Sequence, residues 1–222
     1  MRNNLEEVEH LLLIDGSGFI FRAYHALPQL TKSDGTPTGA VAGYCNMLFK
    51  ILNEMDKFKA SHLAVIFDQK DKTFRSEIYP EYKANRPPPP QDLVPQFDII
   101  REATEAFGIV SIEKKGFEAD DIIATLSKEA NDIGAKVTIF SSDKDLMQLI
   151  SEKTSMYDPI KNIYIDKEKV KEKFGVLPNQ VIDVQSLIGD NVDNVPGVPG
   201  IGVKTAAQLI SIFYTIENLI EN

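Results

Sequence analysis

A chain of 222 residues with 43% hydrophobic content can bury one generous core or two small ones. No apolar run approaches the roughly twenty residues that a membrane-crossing helix needs, and residues 1–10 are too acidic for a secretory signal, so an intracellular, cytoplasmic protein with no membrane partner is expected. A net charge of −9 argues against a uniformly basic nucleic-acid surface, and the single Cys45 excludes an internal disulfide.

The first apolar run, residues 11–14, stops abruptly at Asp15-Gly16, the pattern of a fully buried strand that ends on an acid. From Thr38, apolar residues at Val41, Tyr44, Leu48, Ile51 and Leu52 recur at helical spacing, with Thr38 as the expected N-cap and Cys45 as buried filler. Residues 63–67 form a second apolar run, closed by Asp68. The stretch 73–90 holds Phe74, Arg75 and Tyr79, then Glu-Tyr-Lys-Ala-Asn-Arg at 81–86, then four prolines that cannot continue a helix and predict an exposed extended spacer. Lys83 and Arg86, three apart, are expected to share one helical face beside Tyr82. Residues 93–107 read as an amphipathic helix and 109–112 as a short strand.

The stretch Gly116-Phe-Glu-Ala-Asp-Asp-Ile-Ile-Ala124 then puts three carboxylates at the start of an apolar helical pattern that reaches about Asn131, with Gly134 as terminator. In isolation Glu118, Asp120 and Asp121 are an acidic first turn favoured by the helix dipole. A third apolar run, 137–140, empties into Ser141-Ser142-Asp143-Lys144-Asp145. Tyr157 and residues 163–165 flank a predicted hairpin, and residues 170–174 close a short helix. Last, Asp190 and Asp193 precede a Gly-rich turn, Gly200-Ile-Gly202, that opens a helix through Lys204, Ala207 and Leu209. Glycines at a helix N-terminus let backbone N–H groups approach a phosphate, and Lys204 adds charge. The four-residue spacer of a P-loop is missing.

Strands alternating with helices predict an α/β fold with a mostly parallel central sheet and helices on both faces. Ligands in such sheets bind outside the carboxyl ends of the strands, so Asp15, Asp68, Asp143 and Asp145 should converge, with the helix of Asp120 reaching the same edge. Crowded carboxylates raise one another's pKa values and call for a cation. Oxygen donors without Cys or His favour Mg²⁺ or Mn²⁺, and two such ions roughly 4 Å apart can activate water for phosphodiester hydrolysis. His10, His25 and His62 are scattered and form no ligand set. Setting aside nine metal-binding acids balances the remaining charge and leaves local basic patches free. Beside such acids, Lys83 and Arg86 would steer a scissile phosphate, while Arg22 and Tyr24 offer a phosphate contact and a stacking surface. An aspartyl-phosphate phosphatase built on Asp15 would want a second acid two residues on, where Ser17 stands.

These stretches together resemble the 5′-nuclease domain of bacterial DNA polymerase I, within the flap endonuclease superfamily. The matching residues are Leu-Ile-Asp-Gly at 13–16, Phe-Arg-Ala-Tyr-His at 21–25, Val-Ile-Phe-Asp at 65–68, Phe-Arg at 74–75 and Tyr-Lys-Ala-Asn-Arg at 82–86. They continue with Glu-Ala-Asp-Asp at 118–121, Ser-Asp-Lys-Asp at 142–145, Gly-Asp-x-x-Asp-Asn at 189–194 and Gly-Ile-Gly-x-Lys-Thr-Ala at 200–206. The resemblance implies a PIN-like 5′-nuclease fold and a monomeric, metal-dependent nuclease that cuts DNA, and RNA in hybrids, at free 5′ ends and 5′ flaps during primer removal and repair. It implies an inner metal set of Asp15, Asp68, Glu118 and Asp120, and a second set of Asp143, Asp145, Asp190 and Asp193 with Asp121 close by.

Lys83 and Arg86 match arch residues that engage the scissile phosphate, with Arg75 and Tyr82 beside them. Gly200, Gly202, Lys204 and Thr205 match a helix-three-turn-helix that grips the duplex and, in relatives, K⁺. The implied division is a nuclease core at 1–177, with an arch region near 70–92, and a helical DNA-binding region at 178–222 with its helix-three-turn-helix near 189–213. Family domains continue past the point corresponding to Asn222, so either a fragment of a larger polymerase, truncated at its C-terminus, or a short stand-alone protein is expected. Its alternative reading is a catalytically impaired DNA-binding fragment.

Overall fold

In the computed structural model residues 8–222 are described; the acidic segment 1–7, part of the stretch weighed as a signal, lies outside them. Among the described residues, β1 (His10–Asp15), β2 (His62–Ile66), β3 (Val110–Ile112), β4 (Lys136–Phe140), β5 (Thr154–Asp158) and β6 (Ile163–Ile165) form one sheet. Its order is β3-β2-β1-β4-β5-β6, and every pairing is parallel except that of β5 with β6. The central strand β1 is apolar at successive positions because both of its faces are covered: Leu12, Leu13 and Ile14 are each 0% exposed. Leu12 and Ile14 pack with Phe19, Tyr44, Leu48 and Ile100 on one side of the sheet. Leu13 packs with Ile66, Ile123 and Val137 on the other.

The first side is built by α1 (Gly16–Ala26), α2 (Gly39–Phe58) and α4 (Gln96–Ala106), with the short α3 (Phe74–Ile78) between them in sequence. The second is built by α5 (Ala119–Asp132), α6 (Lys167–Phe174), α7 (Val181–Ile188) and α8 (Val203–Phe213), followed by α9 (Ile216–Glu221). No helix among the described residues is long and apolar enough to cross a membrane.

Several local expectations change. α1 begins Gly-Ser-Gly, a poor helical sequence, and forms because the Asp15 carboxylate accepts the Gly18 N–H (2.7 Å) while Phe19, Ile20 and Ala23 become buried. Gly18 is needed there, since a Cβ would strike that carboxylate. Thr38 is the N-cap residue of α2 as expected, its carbonyl accepting the Ala42 N–H (2.9 Å), but its hydroxyl donates to the Leu30 carbonyl (3.4 Å) and makes no side-chain cap. Cys45 is half-buried, not fully so, and burial pushes its thiol up. Pro95 delays α4 to Gln96, three residues after the expected start.

The helical face expected to carry Lys83 and Arg86 does not exist: residues 81–85 are turns, and Lys83 holds a left-handed φ of 58°. α7 was not foreseen. Its Val-Ile-Asp-Val composition is a weak helix former, and the helix is held by burial of Val181, Val184 and Leu187.

Candidate metal and nucleic-acid site

The sheet order reverses at β1, whose neighbours β2 and β4 carry connections to different sides, and this reversal is where open α/β sheets place their ligands. Asp15 ends β1 there. It is 7% exposed, and its second carboxylate oxygen accepts the Ser141 hydroxyl (2.8 Å) from just beyond β4. Burial pushes its pKa up to about 6, with Asp68 and Asp143 adding repulsion. Asp68, two residues past β2, accepts the Ala119 N–H (2.7 Å) at the start of α5, while its own N–H donates to Ser17 (2.8 Å).

Asp120, one residue into α5, is pushed up to about 8, first by burial and then by Asp15, Asp143 and Asp68. The strand-end acids and the α5 acid therefore share one electrostatic neighbourhood, as the strand-end pattern predicts. Asp145 is raised by burial and by Asp143, and the Gln185 amide of α7 donates to it.

A second group of acids is already paired. Glu118 accepts from the Lys83 ammonium (2.8 Å) and the Tyr82 hydroxyl (2.9 Å), with Arg75 at 3.8 Å. Asp193 accepts from Arg86 and from Tyr82 (3.1 Å). Burial together with Glu118 and Asp193 pushes the Tyr82 phenol well above its ordinary value. Asp190 accepts from Lys144 (2.6 Å); burial works upward on its carboxyl, but Lys144 and the Val192 N–H outweigh it and hold the pKa low.

Asp121 forms a two-pronged pair with Arg75 (2.7 and 2.7 Å) and accepts the Glu118 N–H (2.9 Å). Burial likewise works upward on it and is outweighed by Arg75, so its carboxyl lies below the usual range. Asp143 repels Asp15 and Asp120 on one side and Asp145 on the other, so it lies between the two sets that the resemblance implies, while Glu118 shares Tyr82 and Lys83 with Asp193.

A cleft of about 380 Å³ runs between these groups, bounded by Arg75, Tyr82, Glu118, Asp145, Gln185 and Asp190. Among the described residues no three His, Cys, Asp or Glu side chains are gathered tightly enough to hold a metal ion as they stand. The donor chemistry nonetheless fits a hard cation. All the acids offer oxygen only, and the raised pKa values of Asp15 and Asp120 come first from burial and then from repulsion by neighbouring carboxylates, a charge that a bound cation would offset. The histidines stand apart: His10 bonds Thr138 (2.9 Å), His62 bonds Ser61 (3.0 Å) and His25 meets Tyr24 edge-on.

Of the nucleic-acid candidates, Arg22 lines a small recess with Asp15 and Ser141. Tyr24 lines a different recess and gives its hydroxyl to Asp92 (2.9 Å), so the structure does not bring it to the acids. Lys204 and Thr205 are exposed in the first turn of α8. Gly200 needs glycine for its φ of 82°, but Gly202 has no positive φ, and a Cβ there would meet nothing within 4 Å. Open space beside this helix start leaves room for another molecule's backbone to approach. Sequence reasoning missed Ser17, Lys144 and Gln185 as partners of the acids and left Ser141 without a role; Gln185 sits on the unforeseen α7.

The 5′-3′ exonuclease N-terminal resolvase-like domain model matches residues 10–175, and the 5′-3′ exonuclease C-terminal SAM fold model matches residues 176–222. The chain is 56% identical over 222 residues to the DNA polymerase I of Rhizobium leguminosarum, covering 98% of this chain but only 22% of that protein. It is 42% identical over 212 residues to the 5′-3′ exonuclease of Aquifex aeolicus, covering 96% of this chain and 72% of the relative. Among solved structures, the 5′-exonuclease of T5 with divalent zinc ions bound superposes with a TM-score of 0.79 at 25% identity, covering 96% of this chain and 79% of that one. The bacteriophage T5 flap endonuclease in complex with DNA and metal ions shares the fold, with a TM-score of 0.80 at 24% identity and the same coverage of each chain.

Proposed function

The chain belongs to the 5′-3′ exonuclease family, and from that premise we propose that it hydrolyses DNA phosphodiesters at free 5′ ends and 5′ flaps with the help of divalent cations. The observation that carries this reading is the set of mutually repelling carboxylates Asp15, Asp68, Asp120 and Asp143 at the reversal of strand order, beside further acids, Asp121, Glu118, Asp193 and Asp190, that pair with Arg75, Lys83, Arg86 and Lys144. Asp15, Asp68, Glu118, Asp120, Asp143, Asp145, Asp190 and Asp193 would hold two Mg²⁺ or Mn²⁺ ions. Such ions make water nucleophilic at neutral pH and steady the leaving oxygen. T5 relatives solved with metal ions and with DNA support both halves of the proposal.

The protein's own groups do the rest. Ser141, Ser17 and Gln185 fix the orientation of Asp15, the backbone at Asp68, and Asp145. Asp121 holds Arg75 at the mouth of the cleft and is the weakest ligand candidate, because its oxygens are already committed. Lys83 and Arg86 would turn from their acids to the scissile phosphate and stabilise charge developing on it. Gly200, Gly202, Lys204 and Thr205 would contact the duplex backbone, with K⁺ as an additional ligand of that turn, and Arg22 would add a phosphate contact.

We further propose a nuclease core at 1–177 and a duplex-binding region at 178–222. The role is removal of primers and flaps in replication and repair, joined to a polymerase domain where the chain forms part of a longer protein. Replacing both Asp120 and Asp143 by Ala is expected to abolish Mg²⁺-dependent cleavage of a labelled 5′-flap while retaining binding; undiminished cutting would contradict the proposal.

A further inference from the structure

The segments 82–86 and 189–194 contain three asparagines, Asn85, Asn191 and Asn194, to which the proposed chemistry gives no task. They join the two segments. The Asn85 side-chain amide donates to the Asn191 carbonyl (2.8 Å), and the Asn194 amide donates back to the Glu81 carbonyl (2.8 Å). Between them the Lys83 backbone N–H donates to the Asp193 carbonyl (2.8 Å). Lys83 and Asn194 both hold left-handed backbone, with φ of 58° and 57°. Residues other than glycine keep such conformations where surrounding contacts hold them there.

Docked in this way, the 81–86 turn brings Lys83 to Glu118 and Arg86 to Asp193, and sets the Tyr82 hydroxyl between the two acids. Both carboxylates are then occupied by side-chain donors. A cation that needs them must first draw them away from Lys83 and Arg86.

We propose that Asn85 and Asn194 are positioning residues that form a two-way clasp, holding the arch turn down on Glu118 and Asp193 so that divalent cations and the clasped basic residues compete for the same carboxylates. This inference rests on the metal reading of the site. Its consequence is a linkage: while the clasped form dominates, apparent cation affinity scales with the small fraction of molecules in which the clasp is open. Loosening the clasp raises that fraction. A strand entering the cleft profits from the same opening, because its phosphate takes Lys83 and Arg86 away from their acids.

The test uses the full chain and the variants Asn85→Ala and Asn194→Gly; glycine keeps the left-handed backbone while removing the amide. In metal-free protein, hydrogen exchange across 79–86 and 190–195 is expected to quicken about tenfold in each variant, the scale of one lost hydrogen bond. Exchange in β1 and β4 should stay unchanged. Titration with Mn²⁺ alone, followed by the electron paramagnetic resonance of the free ion, should then show several-fold tighter binding to both variants. Unchanged exchange in the two segments would overturn the clasp. Faster exchange with equal or weaker Mn²⁺ binding would overturn the competition while leaving the metal reading intact, and absence of Mn²⁺ binding to all three proteins would overturn that reading and this inference with it.

Discussion

Asp120 concentrates the electrostatic cost of the site in one side chain. Its pKa of about 8 and that of Asp15, about 6, both lie above the ordinary carboxyl value. A raised acid pKa means that the folded protein binds protons that the unfolded chain has already released, so without divalent cations stability falls as pH rises through about 6 and then about 8. Asp120→Asn removes that residue's share of the loss. In chelator it is expected to melt at a higher temperature than the parent at pH 8, by a margin that narrows toward acid and closes only below the ordinary carboxyl value of 3.8; a lower melting temperature at pH 8 would reject the assigned shift. Asp15, Asp68, Asp143 and Asp145 were legible in sequence because they follow apolar strands, and Glu118, Asp120 and Asp121 because they open a helix. Their partners were not: Ser141 reaches Asp15 from 126 residues away and Gln185 reaches Asp145 from 40 away, and neither has a pattern of its own.

At the scale of elements, β1 explains why the acids meet at all. Leu13 is fully buried among residues of β2, α5 and β4, and it fixes the strand whose last residue is Asp15. Leu13→Ala is expected to cost about 2–5 kcal/mol through lost burial and a residual cavity, measurable by urea unfolding. A loss below about 1 kcal/mol would mean that the site collapses around the smaller side chain. The sheet and its hairpin could be read from apolar runs and turn residues. α1 and α7 could not, since one begins with two glycines in three residues and the other is rich in β-branched residues, and both owe their helicity to a cap or to tertiary burial. The 81–86 segment misled for the opposite reason. Its local spacing suits a helix, but contacts with residues 191–194, more than a hundred positions away, hold it as a turn.

The whole molecule carries a net charge of −9 yet sets Arg75, Lys83, Arg86 and Lys144 against the site acids Asp121, Glu118, Asp193 and Asp190. Net charge alone would have disfavoured a polyanionic partner; the distribution reverses that inference, because cations held by the acids would expose these basic groups to a phosphate. Lys204, exposed at the start of α8, is separate from the acids. Lys204→Ala should weaken duplex binding and reduce the slope of log affinity against log salt by about 0.9, without changing the position of cleavage; an unchanged slope would remove it from the duplex contact. The most direct measurement is a cleavage map of one 5′-flap substrate, end-labelled, with and without Mg²⁺. Products confined to the junction and the free 5′ end, formed only with Mg²⁺, are the expected result; Mg²⁺-independent cutting, or binding to the flap with no product at any Mg²⁺ or Mn²⁺ concentration, would contradict it.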